Sequence, residues 1–231
     1  MHEASSLPSV EAVNDWRNNA SEFRSINSNP ALFPLDASDY LQDADKSRTI
    51  EQTIIKRGST RQFSREPITF KQLSYMLLSA TSGISADFLN PFGATLNDAY
   101  IIVNDVEYIP KGSYFYNQRA QSLEMLKEGN FRKEAGHLGL GQDIPADASA
   151  DVFFLADLDR ILETYGNRGY RVAELEAGIL GGKLYLSAYS LGLGASGLTF
   201  FDDEVTEFFS PHGEGKAVMF LIALGKSARS R

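Results

Sequence analysis

The stretch KRGSTRQFSREPITFKQLSYMLLSATSG, residues 56–83, places Arg57, Ser59 and Arg61 in one turn. Two guanidiniums and a hydroxyl so close together suit a phosphate group, because arginine meets phosphate oxygens through two parallel hydrogen bonds. The same residues also suit a solvated basic loop. A second stretch, SLGLGASGLTFFDD from Ser190 to Asp203, carries Gly192, Gly194 and Gly197 in the spacing G-x-G-x-x-G. That spacing cradles a dinucleotide only when a strand precedes it and a helix follows, since the helix N-terminus must face the pyrophosphate. Here the order is reversed, with a helical pattern before the glycines and a strand pattern after them. The spacing therefore predicts a helix capped at Gly192 and a tight turn through Gly194 into a strand. The chain has no glycine–lysine phosphate loop and no G-x-S-x-G elbow, and His2, His137 and His212 show no ligand spacing. Metal and hydrolase chemistry are not indicated.

These residues need a scaffold, and the bulk numbers describe one. The 231 residues allow one domain of good size, large enough for a continuous core without disulfides or metal. Hydrophobic residues make up 43% and charged residues 23%, as in ordinary globular proteins. Thirty acidic against 22 basic residues give a net charge of −8. That argues against nucleic acid as a partner, because phosphate-backbone binding leans on a basic field. Cysteine is absent, which excludes thiolate catalysis and thiolate metal sites. No stretch reaches transmembrane length and the first residues do not form a signal peptide, so no membrane partner and a cytoplasmic location are expected.

The first 48 residues, rich in Asn, Ser, Asp and Pro, read as an arm or linker, with an amphipathic helix expected within Val10–Ile26. A compact domain is expected over 49–231. It opens with a short helix, TIEQTIIKRG, ended by Gly58. A clearer helix follows Thr69, a good N-cap with Gln72 three residues on, and Gly83 stops it. Strands are predicted at 99–104, 112–118 and 121–126, the last two as a hairpin, and at 151–157. A helix is expected near 130–138. The longest helical pattern runs from Tyr170 to Leu191. ASGLTFF and KAVMFLIALG read as strands separated by a helix at DDEVTEFF. The mixture predicts an α+β domain.

RGSTRQF followed by PITFKQLSYMLLSATSG resembles the opening of the flavin-dependent nitroreductase superfamily. Residues 169–209, with RGYR, EAG and LGLG…FDD, resemble the central helix and following turn of its SagB-type branch, which includes dehydrogenases that oxidise azolines to thiazoles and oxazoles. AVMFLIALGK resembles the last strand. The resemblance covers residues 50–226. It implies an α+β nitroreductase-like fold, a mostly antiparallel sheet flanked by helices, and a homodimer with FMN at the subunit interface.

Carried over by position, the resemblance makes Arg57 and Ser59 holders of the FMN phosphate. Arg61 would reach the ribityl chain or the pyrimidine side of the ring. Ala195, Ser196 and Gly197 would lie beside the isoalloxazine, with a backbone N–H toward N5. Lys226 would be a second phosphate contact and Arg229 a weaker one. The helix at 170–191 would form the dimer core, where Gly178, Gly181 and Gly182 would let another backbone pass close. The implied activity is ping-pong hydride transfer through the flavin. The substrate would be a small molecule or a peptide: an azoline, a nitroaromatic or a quinone.

The chain also departs from the pattern. Gly58 replaces the second arginine of the opening motif and Gly182 a common glutamine. In NPFGATLND, residues 90–98, only Pro91, Gly93 and Leu96 match the branch's usual flavin-pocket loop. Lys183 and Tyr185 stand one residue further apart than the Lys-Tyr pair of some azoline oxidases, and two residues apart on a helix do not share a face. The eroded loop at 90–98 and the linker-like residues 1–48 motivate a second reading, a flavin-poor and catalytically silent domain acting as a partner or substrate-binding subunit.

Overall fold

A computed structural model describes residues 5–18, 32–38, 48–86, 89 and 95–228. Its centre is a seven-stranded sheet in the order β1-β4-β3-β2-β5-β7-β6, with every neighbouring pair antiparallel. The strands are β1 (Leu32–Pro34), β2 (Asn97–Val103), β3 (Gly112–Asn117), β4 (Ser122–Glu128), β5 (Ala150–Ala156), β6 (Gly194–Leu198) and β7 (Ala217–Gly225). The helices are α1 (Val10–Asn18), α2 (Ile50–Lys56), α3 (Phe70–Ala80), α4 (Arg132–Leu138), α5 (Asp143–Asp147), α6 (Leu158–Tyr165), α7 (Gly169–Ser190) and α8 (Asp202–Phe209).

The strand sequences explain the layering. YIIV in β2 and VFFL in β5 are apolar at every position because both faces of the sheet are covered. On one face, Ile101, Val103, Tyr114, Val152, Phe154 and Ile222 pack against α3 and α7. On the other, Tyr100, Ile102, Phe115, Phe153 and Leu221 pack against α4 and α8. A helix–sheet–helix sandwich results.

The expected start of α3 is correct in detail. The Thr69 hydroxyl accepts from the Gln72 N–H at 3.1 Å, and the Gln72 side chain accepts from the Thr69 N–H at 2.9 Å. Both otherwise orphaned donors are thereby satisfied. The hairpin β3–β4 also matches expectation.

Several expectations are corrected. The strand expected at 195–201 covers Gly194–Leu198, and Thr199–Phe201 is a connection leading into α8. Gly194 is therefore a strand residue and not part of the turn. α1 ends at Asn18, and the rest of the helix expected to Ile26 lies outside the described residues. Leu32–Pro34, within the expected arm, joins the sheet as β1, paired to β4.

Candidate functional site at the sheet edge

β6 is the outermost strand and pairs with β7 on one side only. The segment that leaves α2 closes its other side. The Arg57 N–H caps α2 by donating to the Thr53 carbonyl at 2.8 Å, and three residues later the Thr60 N–H donates to the Ala195 carbonyl at 2.9 Å. The segment continues along the end of β7, where the Ser64 N–H donates to Lys226 and the Ala228 N–H donates to Gln62, both at 3.0 Å. The sequence-expected turn at Arg57, Ser59 and Arg61 is thus brought to Ala195–Gly197 and to Lys226. Arg229 lies outside the described residues.

The last two turns of α7 form the floor beneath this junction. The Gly197 N–H donates to the Tyr185 hydroxyl at 2.5 Å, and that hydroxyl lies 3.3 Å from Ser59 Oγ. One turn on, the Tyr189 hydroxyl pairs with Thr60 Oγ1 at 3.2 Å. Gly194 is required by this closeness, because any Cβ there would collide with the Thr60 side chain. Gly192, by contrast, faces open space at φ 74° and serves as the helix-ending glycine.

Within the strand the three expected flavin neighbours differ in what they offer. Alternation sends the outward backbone groups of Ala195 and Gly197 toward the 57–61 turn and α7, while those of Ser196 face β7. The Ser196 side chain leaves by the opposite face, beside Ala223, and its fully buried hydroxyl has no hydrogen-bond partner. The Gly197 N–H is occupied by Tyr185.

The charges are also unequal. Arg57 and Arg61 are exposed, and neither guanidinium has a carboxylate partner among the described residues. Lys226 Nζ lies 3.3 Å from Glu66 in an exposed pair. Arg48, further back, donates to the Tyr189 carbonyl at 3.0 Å and ties the start of the domain to the end of α7.

Lys183 and Tyr185 point to different places, as their spacing requires. Lys183 donates from Nζ to the Gly83 carbonyl at 2.7 Å, and burial pulls its ammonium below the usual lysine range. Two turns earlier, buried Glu176 accepts through Oε2 from the Leu96 N–H, the Asn97 N–H and Asn97 Nδ2, at 2.8, 2.9 and 2.7 Å. Its Oε1 has no hydrogen-bond partner among the described residues. Burial pushes this carboxyl up to about 7 against those three donors, with Asp98 adding to the rise. Leu96 is therefore fixed by α7, while Pro91 and Gly93 lie outside the described residues.

Sequence reasoning missed Thr60, Tyr189 and Glu176. Thr60 stands between two selected residues, and the tyrosines at 185 and 189 share a helix face, which was the available signal. Glu176 opens the quoted word EAG, which was the available signal there, although a helical glutamate by itself does not announce burial. Among the described residues, no group of three His, Asp or Glu side chains could hold a metal, and no helix is long and apolar enough to cross a membrane.

The description Nitroreductase family matches residues 54–226, three quarters of the chain and nearly the whole sheet. The chain belongs to the nitroreductase family. A Methanocaldococcus jannaschii protein described as a putative nitroreductase is 31% identical over 163 residues, which are 68% of this chain and 82% of that one. The crystal structure of a protein from Anabaena variabilis, also described as a putative nitroreductase, superposes with a TM-score of 0.71 at 30% identity. It covers 96% of this nitroreductase-family chain, which spans only 48% of the Anabaena protein. The Escherichia coli microcin synthetase complex McbBCD, with truncated pro-MccB17 bound, contains a chain with a TM-score of 0.64 at 16% identity. The match covers 97% of this chain and 84% of that one, a likeness of fold alone.

Proposed function

We propose that this nitroreductase-family chain is an FMN-dependent oxidoreductase that works by alternating half-reactions. The observation that carries the reading is the pair of exposed guanidiniums, Arg57 and Arg61, with no carboxylate partner among the described residues, in the turn that Thr60 ties to β6 beside Ser59. That donor set fits a flavin phosphate, since charged forks and a hydroxyl are what a dianion needs. FMN, when bound, supplies the centre that exchanges hydride with substrate. The protein's part is to hold the phosphate through Arg57 and Ser59 and to set a positive charge at Arg61. Lys226, released from its exposed pair with Glu66, is a second cation for the phosphate. The ring would lie along Ala195–Gly197, whose backbone Thr60 and Tyr185 hold in place.

The words RGYR, EAG and LGLG…FDD support a SagB-type activity on azoline-bearing peptides. The divergence of Lys183 from Tyr185 does not support a shared catalytic pair. Reduction of nitro or quinone compounds is therefore the reaction to assay beside azoline oxidation. The decisive test is the absorption spectrum of the purified protein. Bound FMN, released on denaturation, is the expected result, and a colourless protein that FMN cannot reconstitute would instead be the silent partner domain.

The reading includes a homodimer built on α7. Leu175, Gly178, Gly182 and Leu186 form one stripe at helical spacing. Leu175 is 53% exposed, and Gly178 and Gly182 face open space. Ile50 and Ile54 of the adjoining α2 are also more than half exposed. Such a stripe along a core helix fits a second copy of the same helix. Gly181 is different, since a Cβ there would strike the Phe220 ring, so this glycine serves the protomer's own core. Leu175→Arg is expected to halve the mass measured by light scattering. A wild-type monomer would remove the dimer from the reading.

A further inference from the structure

We infer that Tyr185 is a positioning residue that makes Ser59 a hydrogen-bond donor toward the FMN phosphate. The inference rests on the flavin reading above and concerns the direction of protons at one junction. The Gly197 N–H can only donate, so the Tyr185 oxygen accepts from it at 2.5 Å. The phenol's own proton is then free for Ser59 Oγ, 3.3 Å away. Once Ser59 accepts from Tyr185, its own proton points elsewhere, and the nearest chemistry that wants it is an anion beside Arg57 and Arg61. The order is Gly197 N–H to Tyr185, Tyr185 O–H to Ser59, and Ser59 O–H to phosphate oxygen. Donors aligned head to tail polarise one another, and the strengthening is greatest where the last acceptor is charged.

The position of Tyr185 supports this role over one of packing. It lies on α7, yet its hydroxyl joins two segments outside that helix, the 57–61 turn and the edge strand. Tyr189, one turn on, makes the analogous contact to Thr60, and the Thr60 N–H is already committed to Ala195. Tyr189 therefore braces the backbone, whereas Tyr185 directs a hydroxyl.

The test is a flavin titration of the apoprotein, read by fluorescence quenching, with FMN and with riboflavin, which lacks the phosphate. Tyr185→Phe keeps the ring and removes the hydroxyl. It is expected to weaken FMN about tenfold more than riboflavin, the scale of one hydrogen bond to a charged group, while any loss shared by both flavins reports the freed Gly197 N–H beside the ring. Ser59→Ala should shift the FMN-to-riboflavin ratio equally, and the double variant should shift that ratio no further than Ser59→Ala alone. Tyr189→Phe, the control for bracing, should lower the melting temperature without changing the FMN-to-riboflavin ratio. Equal losses for both flavins, or full additivity with Ser59→Ala, would overturn the inference while leaving the FMN reading intact. A wild-type protein that binds neither flavin would overturn both.

Discussion

Arg57→Ala is expected to weaken FMN binding by about 10- to 100-fold, the loss that follows when a two-pronged charge-assisted contact is removed. The structure makes this a clean experiment. The Arg57 side chain is exposed and, among the described residues, supports nothing else, while its backbone N–H still caps α2 at Thr53 when alanine stands there. Folding should be unchanged within the error of a thermal melt. Arg57→Lys should recover only part of the affinity, because an ammonium is a point charge and cannot form the fork. Raising the salt should weaken the wild type more than Arg57→Ala, since the site is open to solvent screening. Unaltered FMN affinity in Arg57→Ala would remove the phosphate from this turn.

Glu176→Ala should be the most damaging single change to the fold, costing about 4 kcal/mol. It takes the acceptor from the N–H groups of Leu96 and Asn97, leaves the Asn97 amide only the Ala173 carbonyl, and removes buried side-chain volume from the core face of α7. Glu176→Gln keeps an acceptor and should cost far less. The carboxyl also gives a pH signature. Its folded value, pushed up to about 7 chiefly by burial, exceeds the ordinary glutamate value near 4.5. An acid that holds its proton more tightly in the fold contributes most at low pH. Its contribution is lost as pH rises from about 4.5 through about 7, by about 3 kcal/mol in total. Asp98 opposes ionisation from the neighbouring strand, and Tyr165 from α6 faces the same charge. Urea unfolding at pH 5 and pH 8 should show the decline in wild type and a flatter profile in Glu176→Gln. Identical slopes in the two proteins would show that Glu176 is not the group responsible.

The sequence disclosed β2, β5 and β7 because they are long apolar runs and α7 because its helical pattern is long, whereas β1, three residues inside the expected arm, was not anticipated. It disclosed the cap of α3 because Thr69 and Gln72 carry their chemistry locally. α5, five residues long, is too short to show a period, whereas α6 went unanticipated although Leu158, Ile161, Leu162 and Tyr165 stand at helical spacing. The turn at Arg57, Ser59 and Arg61 could be picked out by residue type alone. What could not be read was its contact with β6, which depends on Thr60 meeting a strand more than a hundred positions later. Gly194 illustrates the same limit. It was read as a turn residue, whereas its lack of a side chain answers to Thr60, a neighbour visible only in three dimensions. Glu176 was hidden for the opposite reason, since a glutamate in a helix ordinarily signals a solvated face.

The chain that covers β6 has a consequence for how the molecule behaves in a crowded solution. An open sheet invites other chains to add strands along its unpaired margins, which is a route to aggregation. Here one margin is β1, three residues long and ending in Pro34, which has no N–H to offer. On the other, β6, Thr60 takes the Ala195 carbonyl and Tyr185 takes the Gly197 N–H. The segment that gathers the basic turn thus also shields the sheet from adventitious strand addition, so loosening it should promote self-association as well as weaken ligand binding.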